Sequence, residues 1–219
     1  MKKVCVAVFT LVLGASLSLY AGQIAKAVKT VPYDQNYNKG TILIFTNLQG
    51  PNHHKYNPGS GYYVDSPTFF GQTLAQGFVP SSNVGFADAY MPMGVYTANG
   101  GTGQGTGMCV TLNADNGGVP SDTVILDPPS GCLTQSNGIG LFPGNFVEFD
   151  CVTCPALSAG TLYWVVASDT NTANQFTWDF SRGLTDVSSP FAFKAANTGY
   201  VWTAIPTGFQ RSAYEVDGY

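Results

Sequence analysis

An all-β fold, two antiparallel sheets packed as a sandwich, is what three features of this 219-residue chain predict. Short runs rich in Val, Thr, Phe and Tyr recur along it, separated by turn signals at Gly50-Pro51, Pro58-Gly59, Gly117-Gly118, Pro128-Pro129, Pro143-Gly144, Gly199 and Gly208; that rhythm suits a sandwich or barrel. Several of the runs alternate apolar and polar residues with the two-residue period of a half-buried strand. The acids are mostly Asp, with Glu148 and Glu215 the only glutamates. Asp favours turns where Glu favours helices, so this bias also points away from helical structure.

Residues 1–21 read as a secretory signal peptide. Lys2 and Lys3 make a positive start, Val4 to Leu19 is apolar without a charge, and small residues follow at Ala21 and Gly22. Ala25-Lys26-Ala27 offers a second cleavage site. Residues 22–40 form a leader, poorly ordered or a short helix: Ile24, Ala27, Val28 and Val31 have helical spacing, and Pro32 stops the run. The sandwich then occupies residues 41–219.

Its first strand signal is Thr41 to Phe45. In Met108 to Asp115, Met108, Val110, Leu112 and Ala114 share one face, and Cys109, Thr111 and Asn113 the other. Asn113 to Gly118 is a hairpin signal, with Asn116-Gly117 supplying the positive φ of a tight turn. Leu162 to Ala167 is apolar on both faces, as a doubly covered central strand would be. We place Leu162, Trp164 and Val166 on its core side, with Tyr163 and Val165 covered as well. Tyr200 to Ile205 alternates and reads as a further strand.

Charged residues make up 10% of the chain, and removing Lys2 and Lys3 takes the formal charge from −4 to −6. A chain so poor in Lys and Arg has no electrostatic footprint for nucleic acid or an anionic membrane. The Gly100 to Gly107 loop lacks the spacing of a phosphate cradle and precedes a strand rather than a helix.

Export sends the chain to an oxidising space, where cysteines pair. Cys5 lies in the signal peptide, leaving Cys109, Cys132, Cys151 and Cys154. Cys109, on the polar face of its strand, can reach Cys132 in the Pro128 to Gly138 loop, so Cys109–Cys132 and Cys151–Cys154 are the expected disulfides. A redox reading of Cys151-Val-Thr-Cys154 would need a helix N-terminus, and Pro155 with a strand follows instead.

Of the groups able to carry chemistry, His53 and His54 are the only histidines and adjacent, which suits a solvated loop better than a triad. Glu148 and Asp150 would lie on one strand face about 6.8 Å apart, a spacing open to a glycosidase pair, although such pairs usually flank a sugar from different strands. Asp169, Asn171 and Asn174 form an oxygen-rich loop, read either as an Asx-turn or as a structural calcium site. Trp178, Tyr62, Tyr63 and Trp202 are the candidate ligand platforms, with Trp178 preferred because it follows that loop.

Across residues 41 to 218, five segments carry a resemblance: Leu74-Ala-Gln-Gly-Phe78, Asp88-Ala-Tyr-Met-Pro-Met-Gly94, Thr111 to Pro120, Gly160-Thr-Leu-Tyr-Trp-Val-Val166 and Tyr214-Glu-Val-Asp-Gly218. The chain resembles the bacterial secreted choice-of-anchor domains, the R type most. The resemblance implies an extracytoplasmic β-sandwich, similar to jelly-roll carbohydrate-binding modules, with no catalytic residues to carry over. Members often end in a surface-sorting tail. This sequence ends at Tyr219, directly after the last predicted strand, so a released or periplasmic protein is expected.

The function expected is therefore a non-catalytic structural or interaction role at or outside the cell envelope. The alternatives are a polysaccharide-binding module and a small secreted glycoside hydrolase. No cofactor is expected beyond structural calcium. The expected partner is an extracellular polysaccharide or an envelope protein, with no nucleic acid and no integral membrane segment after signal cleavage.

Overall fold

The computed structural model describes residues 24–26, 42–48, 56–65, 71–96, 108–126, 131–135, 139–140, 145–170, 175–181 and 189–219. Residues 1–21, expected to be a signal peptide, His53 and His54, the Gly100 to Gly107 loop, Asn171 and Asn174 lie outside them.

Two antiparallel sheets pack together, as the composition and alternation predict. The strands are β1 (Ile24–Lys26), β2 (Ile42–Thr46), β3 (Tyr56–Asp65), β4 (Thr73–Phe78), β5 (Val84–Tyr96), β6 (Met108–Asp115), β7 (Pro120–Val124), β8 (Thr134–Gln135), β9 (Asn145–Asp150), β10 (Ala156–Leu157), β11 (Tyr163–Asp169), β12 (Gln175–Ser181), β13 (Phe191–Lys194), β14 (Thr203–Ala204) and β15 (Glu215–Gly218). The larger sheet runs β1-β3-β12-β5-β15-β2, with β9 and β10 also paired to β5 and β8 to β9. The smaller sheet runs β14-β13-β4-β11-β6-β7.

Strand β5 organises the larger sheet because its length lets it pair with β15, β12, β9 and β10. Opposite β15 the register skips Ala87. Such a bulge changes which face the next side chains take, and here it lets Phe86 join Ala89, Met91 and Met93 in the inter-sheet core while Asp88 and Tyr90 face outward. At the β3–β12 irregularity beside Asp179, Gly61 allows two backbones to meet closely. A Cβ there would lie 2.5 Å from the Trp178 carbonyl oxygen.

Three expectations are corrected. Ile24–Lys26, assigned to a leader that is poorly ordered or helical, pairs as a strand with Ser60–Tyr62. The exposed edge of β3 offers unpaired backbone donors and acceptors, which a short extended segment satisfies whatever its helical spacing. Strand β11 is doubly covered as expected, but its faces are the reverse of those assigned. Tyr163, Val165 and Ala167 belong to the inter-sheet core. Trp164 and Val166 lie on the other face with Ala75, Ala192, Val119, Leu162 and Trp202. The register decides this, since Val165 sits opposite Leu112 and Ala167 opposite Val110, on the apolar face of β6. Finally, Tyr200 to Ile205 is not one strand. A short 3-10 turn at Ala196–Thr198 and left-handed Gly199 and Tyr200 precede the two-residue β14.

The β6–β7 hairpin forms where the sequence placed it, closed by Asn116 N–H donating to the Val119 carbonyl at 2.8 Å. The positive φ angles fall on Gly117 (67°) and Gly118 (93°) rather than on Asn116. The two central residues of a primed turn need them, and glycine adopts them without steric cost.

Candidate functional site

Cys109 and Cys132 form the expected disulfide, with Cα atoms 5.2 Å apart. The segment after Cys132 bridges the sheets. Leu133 N–H donates to the Val110 carbonyl of β6 at 2.8 Å, and Thr134 pairs opposite Asp150 in β9. The bond therefore fastens a crossing from one sheet to the other.

Cys151 and Cys154, expected as the second bridge, are free thiols here. The Cys154 Sγ–H donates to the Cys151 carbonyl at 3.1 Å, a contact that closes the β9–β10 turn without a covalent bond. Burial, then the neighbouring Cys154, pushes the Cys151 thiol up to about 12. It should stay protonated at neutral pH and react slowly, because the thiolate is the nucleophile. Alkylation of the native protein at pH 7.5 should label Cys151 far more slowly than the urea-unfolded chain; equal rates would contradict the burial.

The chemistry-bearing groups gather on the outer face of the larger sheet. Register places Asp150, Asp88 and Asp217 in one cross-strand row, and Glu148, Tyr90 and Glu215 in the next. Carboxylate oxygens of Asp88, Glu148 and Asp150 all lie within 4.8 Å of one another. Tyr90 Oη–H donates to Glu148 Oε1 at 2.6 Å. Burial, that hydrogen bond and the surrounding carboxylates push the Tyr90 phenol far above its ordinary value, so it remains a donor. Asp88, Glu215 and Asp217 are buried, while Glu148 and Asp150 are half-buried. A patch of Leu48, Tyr56, Phe146 and Ala213 packs with Tyr90 beside this array.

Three carboxylate oxygens so close together can share a proton or offer hard oxygen ligands to a divalent cation such as calcium. Sequence reading singled out only Glu148 and Asp150. Glu215 and Asp217 repeat that spacing in the sequence without suggesting a site, and Asp88 and Tyr90 were missed, because the grouping of all four with Glu148 and Asp150 depends on register. The available signal was the i, i+2 repeat of acidic residues in β9 and β15, with Asp88 and Tyr90 at the same spacing in β5.

Burial pushes Asp217 up to about 6. Asp179, fully buried in β12, is also raised by burial, opposed by the Thr177 hydroxyl. Both carboxyls hold their protons to a higher pH when folded than when unfolded, near 3.9. Their stabilising contribution is thus full below about pH 4 and lost as pH rises through the folded values. The protein should melt higher at pH 5 than at pH 7, and Asp217→Asn should narrow that gap. A melting temperature that falls from pH 7 to pH 5 would count against the raised values.

The proposed calcium loop is only partly placed. Asp169 is buried at the end of β11, while Asn171 and Asn174 lie outside the described residues. The aromatic platform is not assembled. Trp178 is fully buried, its Nε1–H donating to the Ala213 carbonyl at 2.6 Å, with its ring edge-on to Tyr214. It cannot stack on a ligand, because alternation along β12 turns it into the core with Phe176 and Phe180. Tyr62 is likewise core, packed on Phe180 and Phe191, with its hydroxyl donating to the Gln210 carbonyl. Tyr63 is half-buried, one residue away on the opposite face of β3. Trp202 is half-buried but covers the outer cluster of the smaller sheet, with the Lys194 ammonium 4.8 Å from its ring centre. No family model, curated protein or solved structure matches this chain.

Proposed function

We propose that this is a non-catalytic, extracytoplasmic β-sandwich with a structural or interaction role at or outside the cell envelope, of the kind the choice-of-anchor resemblance implies. The observation carrying the non-catalytic reading is the placement of the carboxylates. Asp88, Glu148 and Asp150 stand side by side on one face of one sheet, their oxygens within 4.8 Å. Glycosidase carboxylates instead flank the scissile bond from two sides. Export is supported by the charged and apolar start of the sequence and by the Cys109–Cys132 bond, which belongs to oxidising compartments. Among the described residues, no helix is long and apolar enough to cross a membrane. Cleavage after Ala21 keeps β1 in the mature protein; cleavage after Ala27 would remove it.

The test is turnover. The purified mature protein, incubated with a panel of polysaccharides, should release no reducing ends, and Glu148→Gln should change nothing. Release that disappears with Glu148→Gln would make the protein a glycoside hydrolase.

A second reading, a polysaccharide-binding module, is favoured by one observation. The 195–209 region carries solvent-facing aromatic and aliphatic groups at Tyr200, Val201 and Phe209 on a chain of low charge. Such groups suit the apolar faces of sugar rings, and neutral hydrogen bonds suit their hydroxyls.

A further inference from the structure

We propose that Tyr200, held out by the turn between β13 and β14, is the aromatic contact for a neutral glycan chain. The assignment rests on the polysaccharide-binding reading and names its contact residue.

Tyr200 is the one non-glycine residue with positive φ, 59°, among the described residues. A bulky side chain is disfavoured in that left-handed region, because Cβ crowds the following carbonyl. Strain of this sort persists only where surrounding structure enforces it, and it gathers at functional positions. Here the enforcement is visible. Tyr200 N–H donates to the Ala195 carbonyl at 3.0 Å, Val201 N–H donates to Thr198 O at 3.3 Å, and the Thr198 hydroxyl accepts from Ala195 N–H at 3.0 Å.

The fold gains little from the side chain displayed at this cost. Tyr200 is 49% exposed and Val201 65%. Glycine or asparagine would satisfy the same backbone without strain, so tyrosine is a poor choice for the turn alone. Trp202, two residues on, packs against the outer cluster of the smaller sheet under the Lys194 ammonium.

The ligand class is argued from the ion pair at Trp202, two residues along the chain from Tyr200. Lys194 pairs with Asp122 at 3.6 Å, and the Asp122 side chain is 90% exposed. This pair is neutral overall, so it attracts no net charge, yet it offers donors and an acceptor to hydroxyl groups. An exposed phenol ring supplies the apolar face on which a pyranose stacks.

The experiment is retention of the mature protein on amorphous cellulose, chitin and xylan, with melting temperatures measured in parallel. Wild type should be retained on at least one matrix. Tyr200→Gly and Tyr200→Asn should each lose tenfold or more in affinity without melting lower, and Tyr200→Phe should keep most of the binding. Retention of both the Gly and Asn variants at the wild-type level overturns the assignment to Tyr200 and leaves the polysaccharide reading intact. Lost binding accompanied by a lower melting temperature in both also overturns it, because the residue would then be serving the fold. Wild type that binds none of the three matrices overturns this assignment and the binding-module reading together.

Discussion

Trp178→Ala should destabilise the protein by about 3–5 kcal/mol, the range for deleting a fully buried large aromatic. The indole is fully buried between the sheets. Its loss removes packing with Tyr214 and takes the Nε1–H donor from the Ala213 carbonyl. That hydrogen bond ties β12 to the segment entering β15, next to the Phe180–Ser212 bridge, so damage should reach both strands. Urea unfolding followed by circular dichroism measures the effect. Trp178→Phe should cost less, keeping most of the apolar volume while losing the donor. A change under about 0.5 kcal/mol for the alanine variant is the surface-residue result, and it would return Trp178 to the rim as a ligand platform.

Opening the Cys109–Cys132 bond by the paired change to serine should cost about 3 kcal/mol in the chain-entropy model for a loop of this length. The 23-residue separation spans the β6–β7 hairpin and ends just before the crossing to β8. Without the bond, the contacts Leu133 N–H to Val110 O and Thr134 opposite Asp150 must hold that crossing alone. Calorimetry of the oxidised, reduced and doubly substituted protein should show the last two melting together, well below the first. Non-reducing peptide mapping should recover Cys109 joined to Cys132. Finding Cys132 joined to Cys151 or Cys154 instead would overturn the assignment.

Much of the architecture was legible in local pattern. Alternation in Met108 to Ala114 placed Met108, Val110 and Leu112 in the core. The polar-face position of Cys109 led to the disulfide, and Asn116-Gly117-Gly118 marked the hairpin. These signals are legible because strand period, turn geometry and cysteine reach are properties of a few neighbouring residues. Where a segment is apolar on both faces, the pattern has no polarity left to read. Strand β11 shows this, since its two faces were interchanged until pairing with β6 set Val165 against Leu112. The aromatic platform failed for a related reason. Tryptophan and tyrosine serve a core as well as a surface, and only packing shows which role each has taken.

From its residues alone, this chain determined an all-β sandwich, the Cys109–Cys132 link, the main hairpin and a low-charge composition. Each is set by local stereochemistry or composition. Tertiary structure decided the rest: the inward face of β11, the burial of Trp178 and Tyr62, the free state of Cys151 and Cys154, and the meeting of Asp88, Glu148 and Asp150. Apart from the cysteines, whose contact lies within the β9–β10 turn, these follow from register between strands far apart in sequence. A one-residue slip there reverses every side chain, so no local pattern could have specified them.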